Sequence, residues 1–209
     1  MIKSDDIKTV ILDCDGVMFD TQSANKAYYN RILAHFGKPP ITPEQFSFVQ
    51  QYTVYESIAH LFPDIKTREA ALNHRKIMTY AEFIKDMEIE PHLVTLLKKL
   101  RPAYKTGIAT NRSNTMDQVL QEHGIEEYFD IVVTAKSVAN PKPAPDPLIM
   151  ILNHFSLEPH QMLYVGDSKL DELAASAAGV VFAAYKNPEL TADFHIQRLK
   201  EIEEILQLP

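Results

Sequence analysis

The chain has 209 residues, a hydrophobic fraction of 45% and a formal net charge of −7 at pH 7. This length and apolar content fit a globular protein with one sizeable core and a modest appendage. The acidic balance disfavours a nucleic-acid or membrane partner, because either needs a basic face. Residues 1–6 lack the apolar core of a signal peptide, residues 174–185 are too few for a membrane span, and the single cysteine fits a reducing compartment, so we expect a cytoplasmic protein.

The first element is an apolar run over residues 9–12, which predicts a buried strand. It ends in Asp13 and Asp15, followed by Gly16. Two carboxylates this close repel each other unless a cation or a shared proton relieves the repulsion. Mg²⁺ prefers carboxylate and carbonyl oxygens, so this junction is a candidate magnesium site. The alternative is a solvated turn, in which Asp and Gly serve turn formation alone.

A long helical segment separates this strand from the next convincing one, at residues 105–110. The gap is too long for a single crossover helix. Helices are predicted over residues 24–36, 53–62 and 66–87, and Thr42 before Pro43 is typical of a helix start. We therefore expect a helical cap domain at residues 22–87, inserted into a core domain formed by residues 1–21 and 88–209.

The rest of the chain alternates helices and strands. Helices are predicted over residues 91–100, 114–123, 147–155, 172–178 and 201–206, and strands over residues 105–110, 131–134, 162–167 and 180–185. Such alternation is typical of an α/β protein with a parallel sheet. Open sheets of this kind bind ligands at the carboxyl ends of their strands.

Polar side chains suited to one task stand at four strand ends or in the loops that follow them. In chain order they are Asp13 with Asp15, Thr110 with Asn111, Lys142, and Asp167 with Asp171. In this order and combination they resemble the motifs of haloacid dehalogenase-superfamily phosphatases, such as phosphoglycolate phosphatases and β-phosphoglucomutase-like proteins with a small helical cap. The resemblance implies a Rossmann-like, doubly wound parallel sheet with that cap inserted.

The resemblance also implies catalytic roles. Asp13 would attack phosphorus and form an aspartyl-phosphate, and Asp15 would protonate the leaving oxygen and later take a proton from water. Mg²⁺ would be the cofactor, held by Asp13, the backbone carbonyl of Asp15, and Asp167. Asp171, one helical turn further on, would orient these groups from outside the ligand set.

The remaining candidates each have a simpler interpretation. Thr110 and Asn111 would bind the phosphoryl group, although such a pair after a strand usually caps a helix. Lys142 would neutralise the phosphate and Asp13, although a lysine between prolines is often an exposed loop residue. Arg112 would bind a substrate anion or, equally, a surface carboxylate. Gln51, in an expected loop at residues 46–52, is a weaker candidate for substrate contact.

The expected function is therefore a Mg²⁺-dependent phosphatase for a small phosphomonoester metabolite, phosphoglycolate-like or a sugar phosphate, with no obligate protein partner. Asp15 favours phosphoryl transfer over dehalogenation, because a departing halide needs no proton. A sugar-phosphate mutase and a pyrophosphatase or nucleotidase of the same family remain open. Two other classes fit less well: a receiver domain places its aspartates differently, and a dinucleotide-binding domain needs a glycine-rich motif that is missing after the first strand.

Overall fold

The computed structural model describes residues 6–78, 80–101 and 103–208. The chain divides into two compact units, one formed by Met1–Phe19 with Ile89–Pro209 and the other by Asp20–Glu88. Among the described residues, every helix is too short or too polar to cross a membrane.

The secondary structure alternates regularly only in the larger unit. The described strands are β1 (Thr9–Leu12), β2 (Phe19–Asp20), β3 (Glu88–Ile89), β4 (Lys105–Ala109), β5 (Ile131–Val133), β6 (Met162–Gly166), β7 (Val181–Tyr185) and β8 (Phe194–Ile196). The described α-helices are α1 (Gln22–His35), α2 (Pro43–Gln51), α3 (Val54–Leu61), α4 (Ile65–Ile77), α5 (Ala81–Ile84), α6 (Leu93–Leu100), α7 (Met116–His123), α8 (Asp146–Phe155), α9 (Lys169–Ala178) and α10 (Glu201–Ile205).

The larger unit is built on a six-stranded sheet in the order β5-β4-β1-β6-β7-β8, and each adjacent pair is parallel. Two short strands, β2 and β3, pair separately. After β1 the chain first builds the sheet on one side, through β4 and β5, and then on the other, through β6 to β8. The carboxyl end of β1 is therefore a topological switch point, where open α/β sheets form their ligand crevice.

Both faces of the central strands are buried. Ile11 and Tyr164 are fully buried in a cluster that also contains residues of α8 and α9. Their neighbours along the strands, Val10, Leu12 and Val165, point to the opposite face because side chains alternate, and each is at most 1% exposed. Burial on both faces explains why these strands read as continuous apolar runs.

The smaller unit contains α1 to α5. Helix α1 packs against α2, α4 and α5, and α3 packs against α2 and α4. Thr42 begins α2 with a capping box, since its hydroxyl accepts from the Gln45 backbone N–H while the Gln45 side chain accepts from the Thr42 N–H. Thr53 and Asp64 cap α3 and α4 in the same region of the chain. These caps set the helix boundaries of this unit.

The predicted α/β class, the parallel sheet and the five predicted strands are confirmed, and four of these strands are one residue shorter at one end than predicted. The start of a helix at Thr42 is also confirmed.

Two expectations about secondary structure are wrong, and one strand of the six-stranded sheet was not predicted. The helix predicted over residues 66–87 is two helices, α4 and α5, because Met78 adopts an extended backbone that ends α4; position 79 lies outside the described residues. Most of the loop expected at residues 46–52 belongs to α2, which the Thr42 cap initiates. Strand β8 was missed, because three residues, with His195 between two apolar ones, are too few to show a pattern.

Candidate active site

The carboxyl ends of β1, β4 and β6 bring most of the candidate residues to one edge of the sheet. Asp13 follows β1, Thr110 follows β4 and Asp167 follows β6. The strands are in register, with Leu12 opposite both Ile108 and Val165, so they end at the same level. The sheet therefore places side chains that are far apart in sequence next to one another.

Lys142 is the cation at the centre of this edge. Its Nζ lies 2.9 Å from Asp13 Oδ1 and 2.6 Å from Asp171 Oδ1, and it donates to the Tyr164 hydroxyl at 3.0 Å. The side chain is only 3% exposed. The two carboxylates outweigh the effect of burial and raise the pKa of Lys142 well above its ordinary value. The lysine is therefore a buried cation paired with two carboxylates, and the alternative of an exposed loop lysine is wrong.

Asp171 is held in place by four donors. One oxygen accepts from Lys142 and from the Tyr164 hydroxyl, which lies 2.5 Å away, and the other accepts from the Ser168 backbone N–H at 3.0 Å and hydroxyl at 2.6 Å. Although burial opposes ionisation, Lys142 and these hydrogen bonds lower the pKa of the carboxyl below its usual value. Asp171 is therefore a fixed anion that orients the lysine.

Arg112 binds both oxygens of Asp15. Its Nε donates to Oδ2 at 2.8 Å and its Nη2 to Oδ1 at 2.7 Å, which is the bidentate geometry of a strong guanidinium–carboxylate pair. Two partners were expected for Arg112, a substrate anion or a surface carboxylate. The structure shows a carboxylate partner, but it belongs to the site residue Asp15 and not to the surface. The Arg112 backbone N–H also donates to the Thr110 hydroxyl at 3.1 Å.

Thr110 and Asn111 are both buried at the end of β4. The Thr110 backbone N–H donates to the Val133 carbonyl, and the Asn111 side-chain amide donates to the Lys142 carbonyl at 3.0 Å. Asn111 thus ties the loop that carries Lys142 to the end of β4. Neither residue caps a helix, because α7 begins only at Met116, after Thr115.

The carboxylates form a crowded acidic cluster. Oxygens of Asp13, Asp167 and Asp171 lie within 4.8 Å of one another. Burial raises the pKa of Asp13 to about 7, a shift that Lys142 opposes and that Asp171 and Asp15 increase. Burial, with the charges of Asp171 and Asp13, also raises the pKa of Asp167 well above its ordinary value. Lys142 therefore does not neutralise the cluster, which favours binding of a further cation.

The donor set fits a hard divalent ion such as Mg²⁺, because every candidate ligand atom is a carboxylate or carbonyl oxygen. Gly16 makes room for one of these ligands. Its φ is +85°, and a Cβ at this position would lie 2.0 Å from Asp167 Oδ2. A side chain here would displace the Asp167 carboxylate, so glycine is required both for the turn after β1 and for the acidic cluster.

Three residues around the site were missed at the level of sequence. Tyr164 and Ser168 bind Asp171, and the Asn187 side chain donates to the Asp167 carbonyl at 2.8 Å. The one available signal was Tyr164, a hydroxyl-bearing residue in an otherwise apolar strand. Gln51 is the last residue of α2, in the helical unit formed by Asp20–Glu88.

Comparisons with known proteins agree with this geometry. Residues 10–185 match the family model of haloacid dehalogenase-like hydrolases. A pyrophosphatase PpaX from Bacillus cereus is 31% identical over 85% of this chain and 82% of its own length. Phosphoglycolate phosphatase 1 from Pseudomonas aeruginosa is 30% identical over 85% of this chain and 68% of its own length.

A solved structure is more similar still. A haloacid dehalogenase-superfamily hydrolase of subfamily IA from Geobacter sulfurreducens is 42% identical, covers 96% of this chain and 97% of its own, and superposes with a TM-score of 0.80. The sheet order, the residues at its carboxyl edge and the match over residues 10–185 lead to one conclusion. The chain belongs to the haloacid dehalogenase-like hydrolase family and is a hydrolase of that superfamily.

Proposed function

We propose that this protein is a Mg²⁺-dependent phosphatase that hydrolyses a small phosphorylated metabolite through an aspartyl-phosphate on Asp13. The observation that carries the proposal is the position of Asp13. It is buried at the switch point of the sheet, with Lys142 Nζ at 2.9 Å and the carboxylates of Asp167 and Asp171 beside it. A nucleophilic carboxylate next to a fixed cation suits attack on a phosphate group.

Asp13 and Lys142 would carry the first half of the reaction. An Asp13 oxygen forms a bond to phosphorus while the bond from phosphorus to the leaving oxygen breaks. Lys142 would offset the charge of the phosphoryl oxygens as they approach the nucleophile, and the hydroxyl of Thr110, which follows β4, would donate to one of them. Asn111 contributes by fixing the loop of Lys142.

Asp15 would move the protons. In the first half it gives a proton to the leaving oxygen, and in the second half it takes a proton from the water that attacks phosphorus and releases Asp13. Asp15 lies two residues beyond the nucleophile, and its carboxylate is 18% exposed, so it can exchange protons with water.

Asp13, Asp167 and the backbone carbonyl of Asp15 would hold Mg²⁺. The side chain of Asp15 is engaged by Arg112, and both oxygens of Asp171 already accept hydrogen bonds, which supports leaving these two carboxylates out of the ligand set. When bound, the ion supplies positive charge that offsets the phosphate and lowers the pKa of the carboxylates around it.

Two substrate classes are supported. A small phosphomonoester is the first, since a relative is named phosphoglycolate phosphatase. Inorganic pyrophosphate is the second, because a relative of similar identity is named pyrophosphatase. Each substrate offers a terminal phosphoryl group to Asp13, so the same residues would serve both.

The direct test is phosphate release with Mg²⁺ from phosphoglycolate, sugar phosphates, nucleoside monophosphates and pyrophosphate. We expect activity in the wild type, loss of more than about 10³-fold in D13N, and a phosphorylated Asp13 peptide in acid-quenched wild-type reactions. D117N, at an exposed position in the first turn of α7, is the matched control and should keep full activity.

Two results would count against the proposal. Undiminished phosphate release in D13N would remove Asp13 as the nucleophile. Interconversion of sugar phosphates without release of phosphate would replace the phosphatase by a mutase. The ranking of the substrates decides between a phosphomonoester and pyrophosphate.

A further inference from the structure

The pair formed by Arg112 and Asp15 is unusual because it occupies a residue that must change its protonation state. The guanidinium fork binds both carboxylate oxygens, at 2.8 and 2.7 Å. The two side chains are only 7% and 18% exposed. Such a pair is shielded from solvent on most sides, so the interaction is stronger than that of an ordinary surface ion pair.

Arg112 is itself fixed. Its Nη1 donates to the Thr115 hydroxyl at 3.1 Å, and its backbone N–H donates to the Thr110 hydroxyl at 3.1 Å. The guanidinium is therefore anchored to the segment after β4, while Asp15 belongs to the segment after β1. Arg112 sets the direction of the Asp15 carboxylate relative to the end of the neighbouring strand.

A bidentate guanidinium binds an ionised carboxylate more strongly than a protonated carboxyl group. A protonated carboxyl group carries its hydrogen on one oxygen, and the remaining lone pairs of both oxygens still accept from the N–H groups of the fork, so Arg112 holds Asp15 in the same direction in both states. When Asp15 donates its proton, negative charge develops on the oxygens that the fork is shaped to receive. The interaction with Arg112 therefore becomes stronger during the step in which the leaving group departs.

We propose that Arg112 is a positioning residue that acts on the reaction through Asp15, by holding its carboxyl group in one direction with the two hydrogen bonds of the fork. This inference rests on the proposed function. In the balanced step, the bond from Asp13 to phosphorus forms, the bond to the leaving oxygen breaks, and the proton of Asp15 moves to that oxygen. Asp15 is left as the anion that Arg112 binds in the structure, ready to accept a proton from water.

The alternative role for Arg112 is to bind the substrate anion directly. A residue that binds the substrate stabilises the ground state and the transition state equally, so its removal raises KM. If Arg112 acts through Asp15, its removal slows the reaction only when the leaving group needs a proton, and only while Asp15 is present. The two roles therefore differ in their dependence on the leaving group and on Asp15.

The experiment compares R112M, R112K, D15N and the double variant R112M with D15N on two phosphate esters. One ester has an alkyl leaving group, which needs a proton, and the other is p-nitrophenyl phosphate, whose leaving group departs as a stable anion. We measure kcat/KM, which covers all steps through leaving-group departure, together with KM. R198M removes an exposed arginine that pairs with Glu201 and serves as the control.

If Arg112 acts through Asp15, R112M lowers kcat/KM for the alkyl ester on the order of 10-fold or more, a part of the roughly 10²–10⁴-fold that general acid catalysis contributes. It changes p-nitrophenyl phosphate less than about 2-fold, and it adds less than about 2-fold to D15N. R112K behaves like R112M, because an ammonium group lacks the fork. A KM that rises equally for both esters, and equally in the D15N background, would overturn the proposal.

A second readout is independent of activity. In the NMR spectrum of the wild type, the Arg112 Nε–H signal, assigned by its absence in R112K, should be protected from exchange with water and should lose that protection in D15N. Unchanged protection in D15N would refute the pairing itself. If no substrate releases phosphate, the proposed function fails by itself, while this signal still tests the pair.

Discussion

In the absence of divalent cations, the free energy of unfolding of this protein is expected to fall as the pH rises from about 4 to about 7. The reason is the raised pKa of Asp13, which burial shifts from 3.8 to about 7. Between these values the folded protein keeps a proton that the unfolded chain has already lost. The stabilisation that Asp13 contributes is therefore fully present below the pKa of the unfolded state, and it is lost as the pH rises through the pKa of the folded state.

The size of the effect follows from the shift. The difference between 3.8 and about 7 is about 3 pKa units, and each unit corresponds to about 1.4 kcal/mol, so Asp13 alone accounts for at most about 4 kcal/mol. Asp167, whose pKa is also raised, acts in the same direction. Asp171, whose pKa is lowered, acts in the opposite direction but only below its ordinary value of 3.8. The expected loss is a large part of the stability of a typical domain, which is about 5–15 kcal/mol.

The assay is urea unfolding at pH values from about 4 to about 8, once with a chelator and once with saturating Mg²⁺. The ion binds the ionised carboxylates, so it should restore about 3 kcal/mol at neutral pH when present at about 100 times its dissociation constant. D13N is the control for the titrating group, since an amide does not ionise, and its chelator curve should fall less steeply. Parallel wild-type curves with and without Mg²⁺, or a D13N slope equal to that of the wild type, would refute the reasoning.

Two further predictions concern the walls of the site. G16A should weaken Mg²⁺ binding, measured by titration calorimetry, and cost about 1–2 kcal/mol, because the new Cβ meets the Asp167 carboxylate at 2.0 Å and φ is +85°. G124A, at φ +62° with open space around its Cβ, should show the backbone cost without the loss of Mg²⁺ affinity, so equal affinities in the two variants would contradict the clash. K142M should lower the urea-derived free energy of unfolding by about 3–5 kcal/mol, because it leaves Asp171, at 2.6 Å from the lysine, as a buried charge without its cation. A loss below about 1 kcal/mol would show that the carboxylates do not need the lysine.

Much of the fold could be predicted from the sequence because its signals are local. The apolar runs before Asp13 and Asp167 are long enough to mark buried strands, and a residue that directly follows a strand must lie at the sheet edge. The caps at Thr42 and Thr53 depend on residues only three positions apart. Strand β8 escaped prediction because three residues carry too little periodicity.

The contacts of the site residues could not be predicted from the sequence, because they depend on which strands are neighbours in the sheet. Arg112 and Asp15 are 97 positions apart and meet only because β4 pairs with β1. Asp171 and Lys142 meet across 29 positions, and nothing in the spacing of either residue reveals the other.

The sequence by itself determined which groups stand at the strand ends, since strand, turn and carboxylate are contiguous in the chain. Only the tertiary structure decided what each group binds. Hydrogen bonds and ion pairs act over about 3 Å, a distance that is fixed by strand order, register and burial. Arg112 could therefore be named from the sequence as an anion-binding residue, whereas its anion, the carboxylate of Asp15, was set by the pairing of β1 with β4.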